Sequence, residues 1–100
     1  MKKDFRGRKC LVVGSGISGL GSAALLEQMG AEVVLYDSNE KLTAEEIRAK
    51  LPGDSRAVCV AGELAEEIFE TAQTVVLSPG VPVDIPLVTA LRERGAQIIG

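Results

Sequence analysis

The stretch Val12-Val13-Gly14-Ser15-Gly16-Ile17-Ser18-Gly19 joins a short apolar run to a helical pattern, and its spacing is GxGxxG. The motif has physical meaning only after a strand and at the start of a helix, which is where it stands here. Gly14 can make the tight turn, Gly16 can let backbone approach a diphosphate, and Gly19 can let the helix pack against a sheet. The free N–H groups and positive dipole end of the helix would then face an anion. The plainer alternative is that the glycines only permit a sharp turn.

Outward from this turn the chain reads as alternating strands and helices. Cys10 to Val13, Glu32 to Tyr36, Ala57 to Val60, Thr74 to Leu77 and Gln97 to Ile99 are short runs rich in Val, Ile and Leu, which suit parallel strands covered on both faces. The first helix is expected from about Ile17 to Met29, with Ile17, Leu20, Ala24 and Leu25 on its buried stripe and Gly30 closing it. The second opens on the capping box Thr43-Ala-Glu-Glu46, buries Ile47 and Leu51, and ends at Pro52-Gly53. A third follows Gly62 with Leu64, Ala65, Ile68 and Phe69 at helical spacing. The fourth opens near Pro86 and runs through Leu87, Val88 and Leu91 to Gly95.

The order is βαβαβαβαβ. Right-handed crossovers then favour an α/β, Rossmann-like three-layer sandwich on a five-stranded parallel sheet of order 3-2-1-4-5. The switch point of that order lies between strands one and four, so the loops Gly14 to Gly19 and Ser78 to Pro82 should border one crevice. In the same order strands one and three are separated by strand two, about 9 to 10 Å apart. That is too far for a disulfide between Cys10 and Cys59.

Composition narrows the function. The 100 residues form one module; 46% are hydrophobic and 25% charged, and 14 acidic against 11 basic residues give a net charge of −3. No polyanion footprint results, so nucleic acid is not an expected partner. The absence of His removes imidazole bases, His-containing triads and His metal ligands. The two cysteines have no CxxC spacing and read as buried thiols of a reducing cytoplasm. The charged start from Met1 to Arg8 has no signal-peptide h-region, and no 18-residue apolar stretch occurs, so no membrane segment is expected. The ending at Gly100, directly after an apolar run, reads as a cut within a longer protein.

Asp37 ends the second strand, where an acidic side chain commonly meets a ribose or base edge. It could equally begin an Asx-turn in Asp37-Ser38-Asn39. Ser78-Pro79-Gly80-Val81-Pro82 would form the opposite wall of the crevice or simply a rigid turn, and Gly62 after the third strand is open in the same way. Glu63, Glu66, Glu67 and Glu70 read as a solvated helix face with no catalytic carboxylate pair. No GxxxxGK[ST] occurs, so these residues hold no Walker-type ATP loop.

Taken together, Val12 to Gly19, Leu35-Tyr36-Asp37-Ser38, Val76-Leu77-Ser78-Pro79-Gly80-Val81-Pro82 and Gly95-Ala96-Gln97-Ile98-Ile99-Gly100 resemble the amino-terminal domain of the Mur ligases, most of all their D-glutamate-adding branch. The resemblance covers nearly the whole chain. It implies peptidoglycan synthesis by a three-domain ATP-dependent ligase. The first domain grips the UDP part of UDP-N-acetylmuramoyl-L-alanine, a central P-loop domain binds ATP and Mg²⁺, and a last domain helps bind D-glutamate. An acyl phosphate forms and the D-glutamate amine attacks it. Residues 1–100 would be only the UDP-binding part, with no catalytic residue, no metal and no activity alone. By the same resemblance Gly14, Gly16 and Gly19 form the glycine turn, and Ile17 and Ser18 present donors to the diphosphate. Asp37 and Ser38 hold the uracil edge, and Gly62 with Ser78, Pro79 and Gly80 shapes the pocket. Asn39 departs from members that carry Arg there. The alternatives are an NAD(P)-binding domain of an oxidoreductase and a dinucleotide-sensing regulatory module of the potassium-transport type, which would normally dimerise.

Overall fold

Alternation along the first strand places side chains in two separate cores. The computed structural model describes residues 5–99; Met1 to Asp4 at the expected charged start, and Gly100 at the end of the last quoted motif, lie outside the described residues. The first strand, β1 (Lys9–Val13), directs Cys10 and Val12 into one layer and Leu11 and Val13 into the other. Burial on both faces is what a central parallel strand requires.

The remaining elements follow in the expected order: α1 (Ile17–Gln28), β2 (Glu32–Asp37), α2 (Ala44–Arg48), β3 (Val58–Ala61), α3 (Glu66–Thr71), β4 (Thr74–Leu77), α4 (Pro86–Arg94) and β5 (Gln97–Ile99). All pairings are parallel, and the sheet order is β3-β2-β1-β4-β5. Ala23 and Leu26 of α1 with Ile47 of α2 fill one side of the sheet; Ile68 and Phe69 of α3 with Val88 and Leu91 of α4 fill the other. The sandwich therefore has three layers, with the order 3-2-1-4-5 expected from the sequence.

Several local details differ. The buried stripe of α1 is Gly19, Ala23 and Leu26, whereas Ile17 is 91% exposed and Leu25 is also exposed. The helix rests on the sheet through Gly19, Ala23 and Leu26, which leaves Ile17 and Leu25 on the outward face. Leu64 and Ala65 precede α3, which starts only at Glu66. Helix α2 stops at Arg48, short of Pro52-Gly53, yet Ile47 within it and Leu51 just beyond it are both buried as expected. Cys59 is only half-buried, because it lies on β3 at the sheet edge, where Val58 is exposed as well. Both cysteines are free thiols, and burial pushes the thiol pKa of each upward.

The capping box is present in full. The Thr43 hydroxyl accepts the Glu46 N–H at 3.1 Å, and the Glu46 carboxylate accepts the Thr43 N–H at 2.8 Å. The acids of the expected third-helix face, Glu63 ahead of α3 and Glu66, Glu67 and Glu70 within it, are all exposed.

Candidate functional site

The carboxyl ends of β1, β2 and β4 meet at the switch point, and hydrogen bonds stitch their loops together. The Gly14 N–H donates to the Tyr36 carbonyl at 2.7 Å, and the Ser78 N–H donates to the Val13 carbonyl at 3.0 Å. The Ser78 hydroxyl then donates to the Gly14 carbonyl at 3.1 Å. Gly14 has φ +105°, a region L side chains rarely adopt, and a Cβ there would lie 2.7 Å from the Ser78 Oγ. The first glycine is thus required by the chain's own turn and by the neighbouring loop.

Gly19 and Gly16 differ in kind. A Cβ on Gly19 would strike the Gly14 carbonyl, so this glycine lets α1 lie against the strand exit. A Cβ on Gly16 would meet nothing within 4 Å. Gly16 is also the N-cap of α1 and provides no side-chain cap. The first intrahelical bond runs from the Leu20 N–H to the Gly16 carbonyl at 2.9 Å, so the N–H groups of Ile17, Ser18 and Gly19 precede the helical ladder. They add to the positive end of a 12-residue helix.

Asp37 stands beside that helix end. Its Oδ2 accepts the Ser15 N–H at 3.0 Å and the Ser15 hydroxyl at 2.7 Å, while its Oδ1 accepts the Asn39 N–H at 3.0 Å. The Asx-turn reading therefore holds, and in addition the carboxylate clamps the glycine loop to the end of β2. Burial raises the Asp37 pKa, but the Ser15 and Asn39 hydrogen bonds and the nearby Lys50 charge outweigh it, so the carboxyl titrates below its ordinary value. Asn39 caps a second turn by accepting the Lys41 N–H at 3.0 Å.

Gly62 joins the same wall. Its N–H donates to the Asp37 carbonyl at 2.8 Å, and its carbonyl accepts the Tyr36 hydroxyl at 2.6 Å. On the opposite wall the Val81 N–H donates to the Ser78 carbonyl at 3.0 Å. With Pro79 second and Gly80 third at φ +96°, the rigid turn expected here takes the type II form.

The structure thus links Gly14, Gly19, Asp37, Gly62 and Ser78 directly or through one bond. Gly16, Ile17, Ser18, Ser38, Pro79 and Gly80 are exposed around them. Two residues that hold the site were not singled out from the sequence: Ser15, which is 2% exposed, and Tyr36. A hydroxyl at the first variable position of the glycine turn, one strand away from a strand-end acid, was the available signal for Ser15. A cavity of about 430 Å³ opens elsewhere, at the amino ends of β1 to β3, lined in part by Lys9, Glu32 and Val58. None of the predicted site residues lines it. Among the described residues, no group of three or more His, Cys, Asp or Glu side chains is placed to hold a metal ion.

A profile of the Mur ligase family, described as the MurD-like N-terminal domain, matches residues 8–100. The chain belongs to this family. The UDP-N-acetylmuramoylalanine–D-glutamate ligase of Lachnoclostridium phytofermentans is 45% identical to it over 97 residues, which is 97% of this chain and 21% of the relative. The ligases of the same name from Lachnospira eligens and Limosilactobacillus fermentum are 39% and 41% identical, with 97% and 96% of the chain covered and again 21% of each relative. The MurD-like domain therefore spans about a fifth of the length of these relatives. Among solved structures, shikimate dehydrogenase from Aquifex aeolicus superimposes with a TM-score of 0.63 at 18% identity, covering 96% of this chain and 43% of that one. That likeness is of fold alone, and it agrees with the Rossmann-like sheet. No helix among the described residues is long and apolar enough to cross a membrane.

Proposed function

We propose that this chain is the nucleotide-anchoring domain of a peptidoglycan-synthesis ligase and holds the UDP end of UDP-N-acetylmuramoyl-L-alanine. The observation that carries the reading is a pair of complementary features at the strand exits: an uncapped helix N-terminus at Gly16 and, bonded to the adjacent Ser15, the carboxylate of Asp37. A diphosphate suits the first and a base imide N–H suits the second. Membership of the MurD-like family supports the same ligand.

Within this reading Ile17 and Ser18 donate to the diphosphate, and Gly16 leaves room for it. Asp37 and Ser38 take the uracil edge, while Gly62 and Ser78 to Gly80 bound the base and ribose. Chemistry belongs to parts of the longer protein: ATP and Mg²⁺ activate the substrate carboxylate, and D-glutamate attacks the acyl phosphate. The 100 residues contain no Walker loop and no His, so the chain alone binds and does not react. We take the compartment to be the cytoplasm, where the nucleotide-linked precursor of this reading is used.

Titration of ¹⁵N-labelled chain with UDP and with NAD tests the proposal. Shifts at Gly14 to Gly19, Asp37-Ser38 and Ser78 to Gly80 with UDP, and weaker ones with NAD, are expected. Tighter binding of NAD at those residues overturns it.

A further inference from the structure

Ser15 is buried, yet the role assigned to the glycine turn makes no use of its side chain. Its hydroxyl and its N–H converge on one atom, Oδ2 of Asp37, at 2.7 and 3.0 Å. A carboxylate offers about four acceptor positions. Two on Oδ2 are taken by Ser15, and one on Oδ1 is taken by the Asn39 N–H. About one position remains, on Oδ1.

We propose that Ser15 is a positioning residue that fixes the Asp37 carboxylate with Oδ2 consumed, so that the pocket accepts a ligand edge with a single donor, the imide N–H of a pyrimidine base, over a vicinal ribose diol with two. The inference rests on the reading that Asp37 faces the base, and it adds the residue that sets the carboxylate's capacity. A hydroxyl is suited to this task because it adds no charge and donates most strongly to the carboxylate when that group is ionised. The charge acting on Asp37 from the neighbouring elements is Lys50, after α2; Glu40 and Glu63 act on the adjacent Tyr36 hydroxyl. Removal of the Ser15 hydroxyl therefore leaves Asp37 with Lys50 and two N–H donors, and its titration moves upward.

The test compares UDP, N3-methyl-UDP and NAD on the 100-residue chain and on Ser15→Ala, with Ser15→Thr as the rescue and Ser15→Gly as a second truncation if the alanine variant does not fold. For the unaltered chain, N3-methyl-UDP should bind at least about tenfold more weakly than UDP, since it lacks the imide proton. In Ser15→Ala, UDP should weaken by about threefold to tenfold and N3-methyl-UDP should keep its affinity, while NAD, whose diol gains the freed position on Oδ2, should bind more tightly. The ¹³C carboxyl titration of Asp37 should move to higher pH in the same variant, and Ser15→Thr should restore both readouts. An equal loss for all three ligands, an NAD affinity that does not rise, or an unmoved Asp37 titration overturns the positioning role while leaving the base reading intact. If the unaltered chain binds UDP and N3-methyl-UDP alike, or binds neither, the base reading itself fails and this inference falls with it.

Discussion

A Cβ atom on Gly19 would lie 1.8 Å from the carbonyl oxygen of Gly14 and 2.9 Å from the Ser78 Oγ. Helix α1 therefore touches the strand exit through backbone alone, at a distance no side chain permits. Gly19→Ala must push the helix off the sheet, and overpacking of this kind costs about 1–3 kcal/mol. Urea unfolding should show a lower midpoint with an unchanged slope, and UDP affinity should fall with it, because the helix N-terminus moves.

Gly16 should separate stability from binding. Its φ is −73° and an added Cβ meets nothing, so Gly16→Ala should leave stability within about 1 kcal/mol. Gly16→Val should also fold, yet its side chain fills the space assigned to the diphosphate, and UDP binding should drop by about tenfold or more, which corresponds to at least about 1.4 kcal/mol. Thermal unfolding and calorimetric titration of the same samples check the two halves. Equal UDP affinity in Gly16→Val removes the diphosphate from this position.

The sheet order was legible because β-rich runs and helical periods alternate without interruption, and right-handed crossovers then leave few arrangements. Thr43-Glu46 and Pro86-Gly95 marked two helices by local chemistry that tertiary packing did not alter. Ile17 and Leu25 depart from the expected stripe because the close approach at Gly19 turns the face Gly19-Ala23-Leu26 to the sheet, a rotation that hydrophobicity alone does not report. Cys59 and Val58 were expected to be buried because composition does not report which strand lies at an edge. At the site, the glycines and Asp37 were legible as a motif. The Ser15 and Tyr36 bonds were not, since each depends on a loop brought alongside from another strand.

Helix α2 has only five residues, too few to be stable by itself, so its capping box should matter out of proportion to its length. Thr43→Ala removes the acceptor for the Glu46 N–H and should cost about 1 kcal/mol. Thr43→Ser should retain nearly all of it. The loss should be visible as faster amide exchange at Glu46 and Ile47, where the helix anchors the fully buried Ile47 side chain.

The depressed titration of Asp37 makes the clamp dependent on pH in a defined direction. A carboxyl that titrates lower in the folded chain than in the unfolded one stabilises the fold above the unfolded value, 3.8, and the contribution is lost as pH falls from there through the folded value. Protonation disfavours the two Ser15 bonds and the Asn39 bond that the ionised form accepts. At pH 7 Asp37→Ala should therefore destabilise the chain by about 1.5–3 kcal/mol, the range for hydrogen bonds to a charged group. The gap between the two proteins should be constant from about pH 5 upward and should narrow below the unfolded value, because both then lack the ionised carboxylate. UDP affinity of the unaltered chain should weaken over the same acidic interval, whereas Asp37→Ala, already about tenfold to a hundredfold weaker, should show no such dependence. Urea unfolding at a series of pH values, paired with UDP titrations, measures both curves; a stability gap that persists unchanged below the folded titration point would rule out the ionised carboxylate as its source.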